Sequence, residues 1–380
     1  MVESLSNKSE IFIGIEYNCP VCDNKQTHWK LKEKYLIQKR DIDTKILLFK
    51  WKDNIKKDRP QNLNLYHFWE CESCYFTCDF RTYIAVKNQS LQKSKLSKDF
   101  EKNVSKEFLH AFENKFYSII NIEKTEFASS ISEQYRNFKE NNHLLDELLY
   151  LKRLLLSIYF QSQLKGTRSF NYILLASSYV RLSWVYSDLE KTNNKQKISE
   201  LFKFFSMYNP NLPKDVEECR LKSIQLYLDC LMKSNSIDSF YKEVSLKIVV
   251  IRLYLATGQI LKAKRLFIET KNYINNNIKA LEGDANQDNL EKKKSLIKAK
   301  GVFDSFEFTF ESFVERYEIE QVNKALIELS KHRSKTKNEK IVLLREIGFD
   351  DKVIRKCLEE KSKGTTYDKV LKFLKELIDI

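Results

Sequence analysis

The spacing of apolar residues along the chain changes near residue 98. Before this point, short runs of β-prone residues such as IFIGIEY, KILLFKW and LYHFWE alternate with polar segments, which is typical of short strands. After it, apolar residues recur every four positions, which places them on one face of a helix. The first such stripe consists of Phe100, Val104, Phe108, Phe112, Phe116 and Ile120. The pattern therefore predicts a small β-rich domain over residues 1–90 and a helical body over residues 98–282.

The helical body is predicted to consist of consecutive helices joined by short links. A short helix is predicted at 127–138, and longer ones at roughly 143–163, 169–190, 196–208, 214–233, 237–257 and 259–279. Glycine, proline and asparagine occupy the breaks between these blocks. Helices of this length with short links favour antiparallel pairs.

One helix pair carries a more specific pattern. Tyr254, Gly258, Ile260, Ala263 and Phe267 have the spacing of a helical hairpin in which glycine permits the turn and alanine permits close packing. This pattern resembles a tetratricopeptide repeat, which implies a superhelical array with a concave groove. The alternative is an ordinary helical bundle.

The C-terminal part of the chain is predicted to contain a charged connecting helix and a small helical domain. The connecting helix occupies 283–335, and the small domain occupies 336–380. Three short helices are predicted in that domain, at 338–347, 350–361 and 366–379. A chain of 380 residues is long enough for such a multidomain organisation.

Composition supports this helical interpretation and leaves the meaning of the charge open. The chain has only 7 glycines and 4 prolines, although sheet-rich proteins need many turns. Its net charge of +14 fits an anionic partner such as nucleic acid. The charge also fits solvated lysine-rich faces, because only 14 of the 66 basic residues are arginine.

The apolar runs predict a cytoplasmic protein without a membrane partner. The N-terminal segment lacks a basic start followed by a long apolar stretch, so no secretory signal is expected. The run LLYLKRLLLSIYF is interrupted by Lys152 and Arg153, so it is too short to span a membrane. Cysteines of a cytoplasmic protein stay reduced, which favours metal sites over disulfides.

Two CxxC motifs provide the strongest chemical signal. Cys19 and Cys22 form one pair, and Cys71 and Cys74 form the second, with 48 residues between them. Each CxxC turn directs two sulfurs into one concavity, and four thiolates are the donor set of structural Zn²⁺. A redox site is the alternative for one pair, but it does not predict a second pair.

Other residues near these motifs could replace a predicted metal ligand or form a second site. His28, His67 and Cys78 could each replace a predicted ligand. In the insert between the two motifs, Asp41 and Asp43 alternate along a predicted strand, so their carboxylates face the same side. Such a pair can act as acid and base. The alternative is a strand end whose aspartates accept backbone hydrogen bonds.

The order CPVC, RDID, second CxxC and helical hairpins resembles a bacterial family known as domain of unknown function 2225. The resemblance covers most of residues 10–280 and implies a zinc-ribbon-like head joined to a tetratricopeptide-like body. It implies Cys19, Cys22, Cys71 and Cys74 as ligands and Arg40, Asp41 and Asp43 as a polar signature. The family tends to place glycine after its last cysteine, where this chain has Tyr75. This departure makes Cys78 an alternative ligand.

The fold class expected from these features is α+β and mostly α, with a zinc-ribbon-like head, a helical-hairpin array and a C-terminal helical bundle. The first functional hypothesis is a non-enzymatic zinc-binding scaffold with a protein or peptide partner in its groove. The second is a nucleic-acid-binding protein that stacks single-stranded bases on Trp29, Trp51, Tyr66 and Trp69. A hydrolase using Asp41 and Asp43 is a third hypothesis. The oligomeric state is left open by the sequence.

Overall fold

The computed structural model of the protein shows how most of the chain folds. The residues that it describes are 12–40, 47–52, 63–80, 82–83, 90–122, 143–233, 239–281, 287–331, 336–347, 349 and 351–362. Over these ranges the chain is mostly helical, with eleven α-helices, and it has small two-stranded sheets near its N-terminus. The prediction of a mostly helical chain with a small β-rich N-terminal region is confirmed.

Three antiparallel hairpins form the N-terminal region. Their strands are β1 (Phe12–Asn18), β2 (Lys25–Leu31), β3 (Leu36–Arg40), β4 (Leu47–Trp51), β5 (Phe68–Glu70) and β6 (Thr77–Asp79). Each strand pairs with its neighbour along the chain, β1 with β2, β3 with β4 and β5 with β6. In the first hairpin Gly14 lies opposite Trp29, where a Cβ atom would approach the indole within 3.4 Å. The turns of the first and third hairpins contain the two CxxC motifs.

Eleven helices follow from residue 90 onwards in the described part of the chain. They are α1 (Ser90–Asn103), α2 (Lys106–Ile120), α3 (His143–Gln163), α4 (Tyr172–Asp188), α5 (Lys195–Tyr208), α6 (Val216–Met232), α7 (Phe240–Ala256), α8 (Ile260–Ala280), α9 (Gln287–Lys331), α10 (Lys337–Glu346) and α11 (Asp351–Ser362). Side-chain caps begin several of them: Asn171, Asp215 and Ser239 each accept a backbone N–H from the first turn of the helix that follows. The start of these helices is therefore encoded locally.

The six apolar residues that predicted one helix from Phe100 to Ile120 are divided between two helices, with Val104 in the link between them. Ser105 has an extended backbone, and its Oγ accepts a hydrogen bond from the N–H of Phe108 at 3.1 Å. This N-cap starts α2 immediately after α1 has ended. All six residues of the stripe are nonetheless buried, so the period identified the buried face correctly while the cap decided the boundary.

Helix α3 occupies the centre of the core that the hairpins share with the helices. Ten of its apolar residues between Leu148 and Phe160 are buried, and they surround the helix on all sides. On one side α3 packs against β5 and β6, and on the other it packs against α4. Phe76 in the third hairpin contacts Phe160 in α3, with ring centroids 5.8 Å apart. The site in the hairpins is thus supported by the helical body.

The chain divides into two compact units, residues 1–272 and 273–380. The first contains the shared core of the hairpins and helices. In the second, α9 packs against α10 and α11. The buried residues of this core are Val322, Ala325 and Leu329 in α9, Leu344 in α10, and Val353, Ile354 and Cys357 in α11. The finer division at 1–90, 98–282, 283–335 and 336–380 stays a prediction.

The tetratricopeptide-like arrangement also stays a prediction. Gly258 has φ +70°, a left-handed conformation that few other residues adopt, so the predicted turn between α7 and α8 is present. Ala263 and Phe267 are buried in α8. The predicted helices at 127–138 and 366–379 lie outside the described residues.

The part of the chain that the structure describes has no helix that is both long enough and apolar enough to cross a membrane.

Candidate metal centre

The first CxxC motif forms a tight turn between β1 and β2. The N–H of Cys19 donates to the carbonyl oxygen of Asn24 at 2.9 Å, and the N–H of Asp23 donates to the carbonyl oxygen of Cys19 at 3.0 Å. The N–H of Val21 points at the sulfur of Cys19, 3.4 Å away. Asp23 carries the left-handed conformation of the turn, with φ +60°.

The second CxxC motif repeats this geometry between β5 and β6. The N–H of Cys71 donates to the carbonyl oxygen of Phe76 at 2.9 Å, and the N–H of Tyr75 donates to the carbonyl oxygen of Cys71 at 2.8 Å. Tyr75 has φ +59°, the conformation for which glycine is best suited. Tyr75 therefore takes the place of that glycine without changing the turn, and it buries its ring in doing so.

The two turns bring together the four cysteines that were predicted as ligands. All four sulfurs lie within 4.8 Å of one another. The sulfur of Cys19 lies 3.6 Å from that of Cys74, and the sulfur of Cys22 lies 3.5 Å from that of Cys71. Sulfurs at the corners of a tetrahedron around zinc, with bonds of about 2.3 Å, are roughly 3.8 Å apart. The donor set and its spacing therefore suit a tetrahedral metal ion.

The pKa values of three of these thiols are shifted in opposite directions. Hydrogen bonds from the thiols of Cys71 and Cys74 hold the pKa of Cys19 down at about 2. Hydrogen bonding to Cys19 raises the pKa of Cys71 to about 12, and hydrogen bonding to Cys19 and Cys71 also raises that of Cys74. Metal binding must therefore displace the protons that the raised pKa values favour on Cys71 and Cys74.

A polar side chain from β2 holds the second turn in place. Gln26 donates from Nε2 to the carbonyl oxygen of Glu70 at 2.8 Å and accepts the N–H of Glu72 at Oε1, 3.0 Å away. The same amide nitrogen lies 2.9 Å from Nε2 of His28. His28 therefore accepts at Nε2 and carries its ring proton on Nδ1. The two hairpins are linked by these bonds in addition to the four cysteines.

The three candidate substitutes lie elsewhere. His28 is buried and stacks on Trp69, with ring centroids 4.4 Å apart and the planes nearly parallel. His67 contacts Phe68 and Phe80 through ring edges. Cys78 is fully buried in β6, and burial raises the pKa of its thiol. None of the three belongs to the group of possible metal ligands found among the described residues.

We expect the stability of the protein to fall between pH 6.5 and pH 4 partly because of His28. Burial, aided by the charge of Arg153, lowers the pKa of His28 from 6.5 to about 4. The unfolded chain therefore binds a proton in this range that the folded chain does not, which amounts to about 3 kcal/mol at the lower end. Urea unfolding of the zinc-loaded protein at several pH values should show this loss, and a His28→Gln variant should show less of it. Equal pH dependence in both proteins would contradict the prediction.

A buried ionic network connects the second turn to the helices, and the sequence interpretation missed it. The ammonium group of Lys152 lies 2.7 Å from a carboxylate oxygen of Glu70 and 2.7 Å from one of Glu113. Arg153 donates to Glu70 and approaches the carbonyl oxygens of Leu65 and Phe68. The sequence signal for this network is a lysine and an arginine, Lys152 and Arg153, inside an otherwise apolar run.

The other candidate functional residues are buried, half-buried or outside the described part of the chain. Tyr66 and Trp69, two of the aromatics proposed to stack bases, are buried in the core. Trp29 is half-buried beside Gly14. Asp41 and Asp43 lie outside the described residues, as do the side chains of Arg40 and Trp51.

Comparison of the chain with protein-family models, curated proteins and solved structures finds no match.

Proposed function

We propose that this chain is a non-catalytic zinc-binding interaction protein. In this proposal the metal fixes the hairpins, and the helical body presents a groove to a protein or peptide partner. The observation that carries the proposal is the group of four cysteine sulfurs at tetrahedral spacing. Four protein ligands complete the coordination of zinc and leave no position for water or substrate, so the metal is structural.

Zinc is the metal that best suits this donor set. Four thiolates in a tetrahedron are typical of structural zinc sites. In the first hairpin the apolar side chains of Ile15, Tyr17 and Trp29 are only partly buried, so metal binding would contribute directly to its folding. The paired CxxC turns also support membership of the bacterial family of domain of unknown function 2225. Cytoplasmic localisation, where thiols stay reduced, is part of the same proposal.

A cleft in the first unit is the proposed groove. It has a volume of about 480 Å³ and lies between the third hairpin, α1, and the loop that leads into α4. Its apolar lining includes Leu96, Phe170 and Ile173, and its basic lining consists of Lys95 and Arg168. We infer an occupant that combines an apolar side chain with a neighbouring carboxylate, as in an acidic peptide segment.

Selection of peptides against the zinc-loaded protein tests this function. A random peptide library is expected to yield sequences with an apolar residue beside Asp or Glu, and Arg168→Glu should abolish their binding by reversing the charge of the cleft. Arg265→Glu is the matched control, because Arg265 is exposed on α8 and does not line the cleft. Peptides that bind all three proteins equally, or no enriched peptides, would refute the proposed groove.

Nucleic-acid binding is the less favoured function. Buried Tyr66 and Trp69 cannot stack on bases without leaving the core, and stacking supplies much of the affinity for single strands. The net charge of +14 alone does not distinguish a nucleic-acid interface from a solvated surface.

A further inference from the structure

Helix α9 exposes a line of large apolar side chains. Leu290, Ile297, Phe308 and Ile319 are 52, 60, 77 and 39 % exposed. At 3.6 residues per turn, their spacings of 7, 11 and 11 place them within about 20° of one straight line along the helix. At 1.5 Å per residue this line is about 44 Å long. We call these four residues the apolar stripe.

The apolar stripe is separate from the face through which α9 is buried. The buried apolar residues in the same part of the helix are Leu296, Ala299, Phe303, Phe306 and Phe310. They project from the opposite side of the helix. Single exposed apolar residues are common on protein surfaces, but four of them on one line, together with the charge pattern of the same helix, point to an interaction surface.

The charges of α9 are divided between its two halves. Residues 290–300 contain five lysines and one acidic residue, whereas residues 304–320 contain six acidic residues and one arginine. Two such helices in parallel would place like charges side by side. In an antiparallel pair, the basic half of each helix lies against the acidic half of the other. Charge therefore favours an antiparallel partner with the same charge distribution, and a second copy of this chain provides it.

Gly301 defines a register for this pairing. It lies on the same line as the apolar stripe, and no atom comes within 4 Å of a Cβ placed there. When Leu290 is set opposite Ile319 of an antiparallel copy, Phe308 lies opposite Gly301, and the two-fold symmetry repeats this contact. The gap at glycine can receive the ring as a knob in a hole. The same register brings Lys293 close to Glu315.

We propose that two copies of this chain associate through an antiparallel pairing of their α9 helices. The apolar stripes form the centre of the interface, and Phe308 of each copy fills the gap at Gly301 of the other. This surface includes no residue of the metal centre or of the cleft, so the proposal does not depend on the proposed function.

Sedimentation velocity of the full zinc-loaded chain, from about 1 to 100 µM, tests the proposal. We expect a concentration-dependent dimer. Phe308→Glu should raise its dissociation constant at least tenfold, which is the size of effect expected when one hot-spot residue is lost. Leu261→Glu is the matched control. Leu261 is 74 % exposed on α8, so its substitution introduces the same charge at a similarly exposed apolar site and should leave the dimer intact.

Two further variants test the register and the orientation. Gly301→Leu should weaken the dimer although leucine favours a helix more than glycine does, so loss of helix stability cannot explain this result. The pair Lys293→Glu and Lys294→Glu should weaken the dimer, and adding Glu311→Lys and Glu315→Lys should restore it.

A wild-type chain that stays monomeric at 100 µM overturns the proposal. A chain whose apolar stripe is covered by another part of the same chain would give this result. A dimer that survives Phe308→Glu also overturns it, and failure of the charge swap overturns the antiparallel pairing.

Discussion

Replacing Cys71 with serine is expected to remove the bound metal and to unfold the hairpins around it. Cys71 is fully buried, and its sulfur lies 3.5 Å from that of Cys22. Structural zinc contributes about 10–16 kcal/mol to the folding of small domains. Loss of one of four thiolates should therefore cost at least roughly 2.5–4 kcal/mol, a quarter of that range. Zinc content measured by mass spectrometry should fall from one ion per chain to well below one.

Cys78→Ser is the matched control for this experiment. Cys78 is as deeply buried as Cys71, but it lies in β6 outside the group of four sulfurs. The serine hydroxyl should cost some stability in that apolar position, whereas the zinc content should remain one ion per chain. Loss of zinc in the Cys78 variant with retention in the Cys71 variant would show that the ligand set is assigned incorrectly.

Replacing Lys152 with methionine is expected to destabilise the protein by about 3–5 kcal/mol, because it leaves a buried negative charge without its partner. The side chain of Lys152 is only 3 % exposed and lies between the carboxylates of Glu70 and Glu113. Burial by itself would raise the pKa of Glu70, but the charges of Lys152 and Arg153 outweigh this effect and lower it. For Lys152, the two carboxylates outweigh burial and raise the pKa.

The directions of the pKa shifts of Glu70 and Lys152 define the pH range in which the ionic network stabilises the fold. The contribution of Glu70 is present above the pKa of an unfolded glutamate and is lost as the pH falls through its lowered folded pKa. The contribution of Lys152 is present below the pKa of an unfolded lysine and is lost as the pH rises through its raised folded pKa. The network is therefore complete at neutral pH, where the variant should be measured.

Urea unfolding at pH 7 measures the effect of Lys152→Met. Lys195→Met is the control, because Lys195 pairs with Glu190 on the surface, where both side chains are at least half exposed. Such pairs contribute less than about 1 kcal/mol. Adding Glu113→Gln to Lys152→Met should recover part of the lost stability by removing a buried charge. Equal destabilisation by the Lys152 and Lys195 variants would contradict this account of the network.

The candidate site could be predicted to a large extent from local sequence. CxxC spacing directs two sulfurs to the same side of a turn wherever the turn forms, and two such motifs identify four ligands without knowledge of the fold. The departure at Tyr75 led to the alternative that Cys78 is a ligand. The structure shows Tyr75 in the left-handed conformation of the turn. Backbone conformation at a non-glycine residue depends on the packing around it, which spacing does not reveal.

Features that depend on neighbouring residues could be predicted from the sequence: the helical faces, the β-rich start of the chain and the pairing of cysteines within each turn. The groups that meet across long distances in the chain are known from the structure alone. It places Glu70, Glu113 and Lys152 together from three separate elements, and it places Tyr66 and Trp69 in the core instead of on the surface. The physical reason is that periodicity and turn geometry act over a few residues, whereas burial and charge pairing are decided when elements far apart in the chain pack together.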